Sequence, residues 1–121
     1  MSSVPAAGDV LDPDVEVLPL PDVAARLDQP ITRVRQALRD RHLIALRRDG
    51  VLAVPAAFLA DAEVVKGLQG TITVLHDAGF SPEETLRWLF TADDSLPGRP
   101  IDALRDNRGR EVKRRAQALG F

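Results

Sequence analysis

No cysteine occurs in the 121 residues, which excludes disulfides, thiolate metal sites and cysteine nucleophiles, and suits a reducing compartment. Long apolar runs are missing too. No stretch approaches the ~18 residues of a membrane span, and the opening MSSVPAAGDV has neither the basic region nor the apolar core of a signal peptide. A cytoplasmic protein without membrane contact is expected. Histidine is scarce: His42 and His76 stand far apart, and no His, Asp and Glu cluster has metal-ligand spacing. Gly67-Leu68-Gln69-Gly70 lacks the lysine and spacing of a phosphate loop. Neither catalysis nor a cofactor nor a metal is therefore expected. Internal repeats and low-complexity blocks are absent, and a chain of this length buries one core, or two small units sharing an interface.

What is present is a segregated charge pattern beneath a net charge of −2. Residues 1–22 carry five acids and no base, whereas residues 23–54 carry seven arginines against three aspartates. The pattern repeats in the second half. Residues 55–104 hold eight acids against three bases, and residues 105–121 hold six bases against two acids. Because salt screens charge within about 8 Å, a local basic segment can meet phosphate while the whole chain is acidic.

Residues 1–17 read as a flexible acidic arm with too little apolar surface to offset its ordering entropy. Its plain reading is a disordered tail; the sharper alternatives are that it competes with DNA for the arginines that follow, or that Ser2 and Ser3 accept a modification. Pro21 then suits the first position of a helix, with Asp22 adding favourable charge and Val23, Ala24 and Leu27 marking one face. Asp28-Gln29-Pro30 ends that helix and opens a second over residues 31–39. Ile31, Val34 and Leu38 recur at helical spacing and face inward, leaving Thr32, Arg33, Arg35, Gln36 and Arg39 outward. Next, Asp49-Gly50 joins two apolar runs as a hairpin over residues 44–54, because both residues accept the positive φ of a tight primed turn.

That order predicts a mainly α protein: a winged helix-turn-helix with a small two-stranded hairpin over residues 18–60, then a helical C-terminal domain over residues 61–121. The expected partner is double-stranded DNA. A recognition helix fits the major groove, where arginine can bond guanine and glutamine adenine. Arg33, Arg35 and Gln36 are the candidate base readers, with Thr32 at a phosphate or thymine methyl. Arg26, Arg39, Arg47 and Arg48 are the candidate backbone contacts, the last two as a phosphate clamp near the hairpin tip.

Downstream, Phe58, Leu59, Val64 and Val65 predict a helix over residues 56–67, and Ile72, Val74 and Leu75 another over 71–78. Ser81-Pro82-Glu83-Glu84 has the pattern of a capping box opening a helix that buries Leu86, Leu89 and Phe90. Residues 95–100 predict a turn, Asn107-Arg108-Gly109 a break or kink, and residues 111–119 a basic helix with Val112, Ala116 and Leu119 on one side.

Val23-Ala24-Ala25-Arg26-Leu27 followed by Ile31-Thr32-Arg33-Val34-Arg35-Gln36-Ala37-Leu38 resembles the helix-turn-helix of small winged-helix regulators of the excisionase and MerR type. Over Leu18 to Phe121 the chain resembles an actinobacterial family of small DNA-binding regulatory proteins with a helical C-terminal domain. It departs at Asp28, where the turn commonly has glycine, and at Gln29, where an apolar residue is usual. Trp88-Leu89-Phe90 with Leu96-Pro97-Gly98-Arg99-Pro100-Ile101 is similar to the C-terminal motif of Xre/ParS-type antitoxins. That resemblance implies a partner-binding surface at Gly98, Arg99 and Pro100, so the alternative function is a protein-interaction or antitoxin-like module, or self-association through the C-terminal domain.

Overall fold

A computed structural model describes residues 4–96 and 98–119 of the chain. Ser2 and Ser3, as candidate modification sites, and Pro97 of the expected turn lie outside the described residues. Helix α1 (Leu20–Leu27) is capped by Pro19, with Pro21 inside its first turn, so it starts one residue earlier than the sequence suggests. It ends where Asp28 turns left-handed, at φ 52° and ψ 47°, with its N–H returning to the carbonyls of Ala24 and Ala25. Aspartate thus occupies the conformation that glycine more often supplies at such a turn. Pro30 then caps α2 (Ile31–Arg39). Val23 and Ala24 of α1 and Val34 and Leu38 of α2 are buried in one cluster, which fixes the angle between the helices. Each buried Val or Leu contributes about 1.5–3 kcal/mol.

The expected two-stranded hairpin is one edge of a three-stranded antiparallel sheet. Strand β1 (Val17–Pro19) pairs with β3 (Val51–Pro55), which pairs in turn with β2 (Leu46–Arg48). Leu18 lies opposite Val54, and Arg48 opposite Val51. Asp49 and Gly50 make the connection at φ 52° and 77°, as the primed turn requires. β1 runs directly into α1, so the hairpin is tied to the helix pair through its central strand.

The flexible arm is corrected for residues 4–16. The Ala7 N–H donates to the Ala45 carbonyl at 2.8 Å, and the Ala7 carbonyl accepts from Arg47 N–H at 3.2 Å, a parallel bridge beside β2. Ala7 and Leu11 are buried, and Val4, Val10 and Val15 pack against the same cluster. The Gly8 N–H reaches Glu83 Oε2 at 2.8 Å, a contact that holds the Glu83 carboxyl below its usual range. These scattered small apolar residues, together with the polar contacts, supply the burial that composition alone did not reveal, and so offset the ordering entropy.

The helix expected over residues 56–67 is absent as well. In its place stand a 3-10 turn (Ala56–Phe58) and a short hairpin of β4 (Leu59–Ala60) and β5 (Glu63–Val64). Asp61 breaks the helical path at φ 55°, and β-branched Val64 pairs with Leu59 instead of stacking a turn away.

Four helices follow: α3 (Leu68–Asp77), α4 (Pro82–Phe90), α5 (Pro100–Arg105) and α6 (Gly109–Ala118). The Ser81 capping box is formed, with Ser81 Oγ accepting from Glu84 N–H at 3.1 Å and Glu84 Oε1 accepting from Ser81 N–H at 2.9 Å. In α6, Val112 and Ala116 are buried but Leu119, expected on the same side, is 45 % exposed. Gly67 (φ 85°) caps α3 against the start of α6, where an added Cβ would lie 3.1 Å from Leu104 Cδ2 and 3.5 Å from the Gly109 backbone. Buried residues from Ala7 to Val112 form a single cluster. Among the described residues, no helix is long and apolar enough to cross a membrane.

Candidate nucleic-acid interface

On α2 the burial of Val34 and Leu38 determines what the opposite side presents. Thr32, Arg35, Gln36 and Arg39 follow at i, i+3, i+4 and i+7, and so form one outward stripe. Thr32, Arg35 and Gln36 are exposed and Arg39 is half-buried. Arg33 sits on the flank of this stripe, where it lines a groove with Gln29, Gln36 and Asp40 on one side and Gln69 of α3 on the other. The C-terminal end of the stripe is internally bonded: Arg39 Nη2 donates to Gln36 Oε1 at 3.2 Å, and Gln36 Nε2 donates to Asp40 Oδ1 at 3.0 Å. Arg35 is exposed.

The two hairpin arginines have different surroundings. Arg47 is exposed. Arg48 is turned onto the N-terminal segment, where its Nε and Nη2 grip Asp9 at 2.7 and 3.2 Å while Nη1 and Nη2 donate to the carbonyls of Val15 and Asp12 at 2.6 and 3.2 Å. Its side chain is only 18 % exposed. The guanidinium hydrogen bond holds the Asp9 carboxyl below its usual range. The two arginines expected to form one phosphate clamp thus have different surroundings, Arg47 facing solvent and Arg48 held by the N-terminal segment. Arg26, also expected on the DNA backbone, is exposed and donates through Nε to the Asp61 carbonyl at 3.1 Å, which ties α1 to the β4–β5 turn.

Gly98, Arg99 and Pro100 have a structural role. Arg99 Nε and Nη2 bond both Asp102 oxygens at 2.9 and 2.8 Å, and Asp102 Oδ2 also accepts from the Arg99 N–H at 3.2 Å. This pairing closes the first turn of α5, holds the Asp102 carboxyl below its usual range, and places the Arg99 guanidinium 5.3 Å from the centre of the Phe90 ring. Pro100 is buried at the start of the helix.

A helix pair joined by a tight turn, with a hairpin beside it, agrees with the matched family description, which names a wHTH domain. Residues 3–59 match the family described as "DNA-binding protein Rv2175c, wHTH domain", and residues 65–120 match "Rv2175c C-terminal domain of unknown function". The DNA-binding protein Rv2175c of Mycobacterium tuberculosis (strain ATCC 25618 / H37Rv) is 44% identical over 134 aligned positions, which cover 100% of this chain and 92% of the relative. The chain belongs to the Rv2175c family. The NMR structure of Rv2175c superposes on it with a TM-score of 0.87 at 45% identity, covering 99% of this chain and 91% of that one. These matches support a small winged-helix DNA-binding family. They carry neither the excisionase and MerR kinship nor the antitoxin kinship.

For this member of the Rv2175c family, sequence reasoning missed the residues that hold Arg48 and Gln36, namely Asp9, Asp12 and Val15 around the first and Asp40 beside the second, and also Gln69, which lines the groove with Arg33. One signal was available. Arg47 and Arg48 are neighbours on a strand and point to opposite faces, so the two could not be expected to share one environment.

Proposed function

We propose that this chain is a double-stranded DNA-binding protein and a transcriptional regulator, acting by binding and not by catalysis, with α2 in the major groove and the β2–β3 hairpin against the backbone. The observation that carries this reading is the outward stripe of Thr32, Arg35, Gln36 and Arg39, opposite the Val34–Leu38 face that locks α2 onto α1. Arg35 is the principal base reader, since an exposed guanidinium can bond both acceptors of guanine. Gln36 reads a base by exchanging its bond to Asp40. Thr32 and Arg33 lie at the stripe and its flank, where they meet phosphate, thymine methyl or a second base. Arg39, Arg26 and Arg47 position the duplex through its backbone. Arg48 acts indirectly, holding the hairpin against the N-terminal segment. Membership of the Rv2175c family supports the DNA partner, and the formed structural roles of Arg99 and Pro100 leave the partner-binding reading of that segment without an observation of its own.

The test compares a selected site with random duplex by fluorescence anisotropy. Arg35→Ala is expected to cost about 1–3 kcal/mol on the selected site and much less on random DNA, because a base-edge contact is lost. Equal losses on both would place Arg35 on phosphate instead, and undiminished binding would remove α2 from the interface.

A further inference from the structure

Six bases crowd residues 105–121, and the fold uses half of them. Arg105 Nη1 donates to the carbonyls of Ala57 and Leu59, Arg108 pairs with Glu111, and Arg115 bonds Ser95 Oγ at 2.6 Å and lies 3.8 Å from Asp93. Arg110, Lys113 and Arg114 are exposed and enter no ion pair or hydrogen bond among the described residues. With Gln117 they fall at i, i+3, i+4 and i+7 of α6, which makes a single cationic stripe opposite buried Val112 and Ala116.

The position of that stripe relative to α3 is set by two contacts. Gly109 packs on Gly67, and Lys113 Nζ lies 4.0 Å from the place where a Cβ on Gly70 would stand, so the stripe flanks the first turn of α3. Gln69, in that same turn, lines the groove with Arg33 and Gln36. Exposed Lys66 stands immediately before the turn. Basic residues thus stand at intervals along this side, Arg33 on the flank of α2, Lys66 before α3 and the stripe on α6.

We propose that the α6 stripe of Arg110, Lys113 and Arg114 is a second phosphate-contacting surface, which extends the DNA footprint past the winged helix and gives the C-terminal domain a direct part in binding. The inference rests on the DNA-binding reading above. A segment with a surplus of four positive charges in a chain of net charge −2 is electrostatically suited to a polyanion. Its contacts read no bases. They add affinity and salt dependence uniformly over sequence.

The experiment measures duplex affinity across a series of salt concentrations for the full chain and for Arg110→Ala, Lys113→Ala, Arg114→Ala and the triple variant, each checked by circular dichroism and thermal melting. All three side chains are exposed and without partners among the described residues, so folding should be unchanged. Each single variant is expected to lower the slope of log affinity against log salt by about one unit, and the triple by about three, equally on selected and random DNA. Arg87→Ala, an exposed base on α4, serves as the control and should leave the slope unchanged. A triple variant that folds normally and keeps the parental slope overturns this inference while leaving the winged-helix reading intact. A parent chain that binds no duplex at any salt overturns both.

Discussion

Strand geometry separates two arginines that composition treats as equivalent. Successive side chains on a strand point to opposite faces, so Arg47 looks outward while Arg48 faces the N-terminal segment and meets Asp9, Asp12 and Val15. The two should respond differently to truncation. Arg47→Ala is expected to lower the salt slope of DNA binding by about one unit with stability unchanged, because its guanidinium is exposed and supports nothing in the fold. Arg48→Ala is expected to cost about 1–3 kcal/mol of stability, since Asp9 and two backbone carbonyls lose a charged donor, and to leave the slope nearly unaltered. Urea denaturation and binding titrations on the same two variants check both statements; the same loss of slope in both would return Arg48 to the phosphate surface. Of the candidate site, the stripe on α2 was legible because its inward residues are spaced by the helical repeat. The fate of Arg48 was not, because its partners are as many as 39 positions away and only the fold brings them near.

Elements with local determinants were equally legible. The α1–α2 turn, the Asp49-Gly50 hairpin and the Ser81 capping box each depend on residues within four positions of one another, and all three form. Residues 56–67 were not, since the apolar residues there fit a helix and a hairpin alike; the left-handed Asp61 and the Leu59–Val64 pairing decide for the hairpin. β1 was hidden for a related reason, being three residues whose partner lies more than thirty positions on. At the junction that follows, Gly67 combines a positive φ with a close approach, whereas Gly50 has a positive φ in open space. Gly50→Ala should therefore cost about 1 kcal/mol from backbone strain alone, and Gly67→Ala about 2–4 kcal/mol because Leu104 and the start of α6 must also shift. Denaturant midpoints that rank the two the other way would mean that the α3–α6 contact yields easily.

For the molecule as a whole, the N-terminal segment acts as a strap joining the sheet to the C-terminal helices. Ala7 bridges to Ala45 and Arg47, Leu11 is buried, and Gly8 bonds Glu83 in the first turn of α4. Deleting residues 1–16, which the sequence suggests would remove a passive tail or release an acidic competitor from the arginines, should destabilise the protein by about 3 kcal/mol through the lost Leu11 burial and the orphaned Arg48. Thermal melting of the truncated chain checks this, and an unchanged melting temperature would reduce the segment to a surface ornament.

The bond between Gly8 and Glu83 joins residues 75 positions apart, the largest sequence separation among the side-chain hydrogen bonds of the described residues. A ribosome makes residue 8 early, yet the carboxylate that receives it emerges only after most of the chain has been translated, and Ala45 must emerge before the bridge to β2 can form. Domains fold from the N-terminus as they are synthesised, but contacts of long sequence separation must wait and pay loop-closure entropy first. The first segment to leave the exit tunnel is thus seated late, and a nascent chain halted before α4 would lack the Gly8–Glu83 bond while keeping the β2 bridge and the Arg48 clasp.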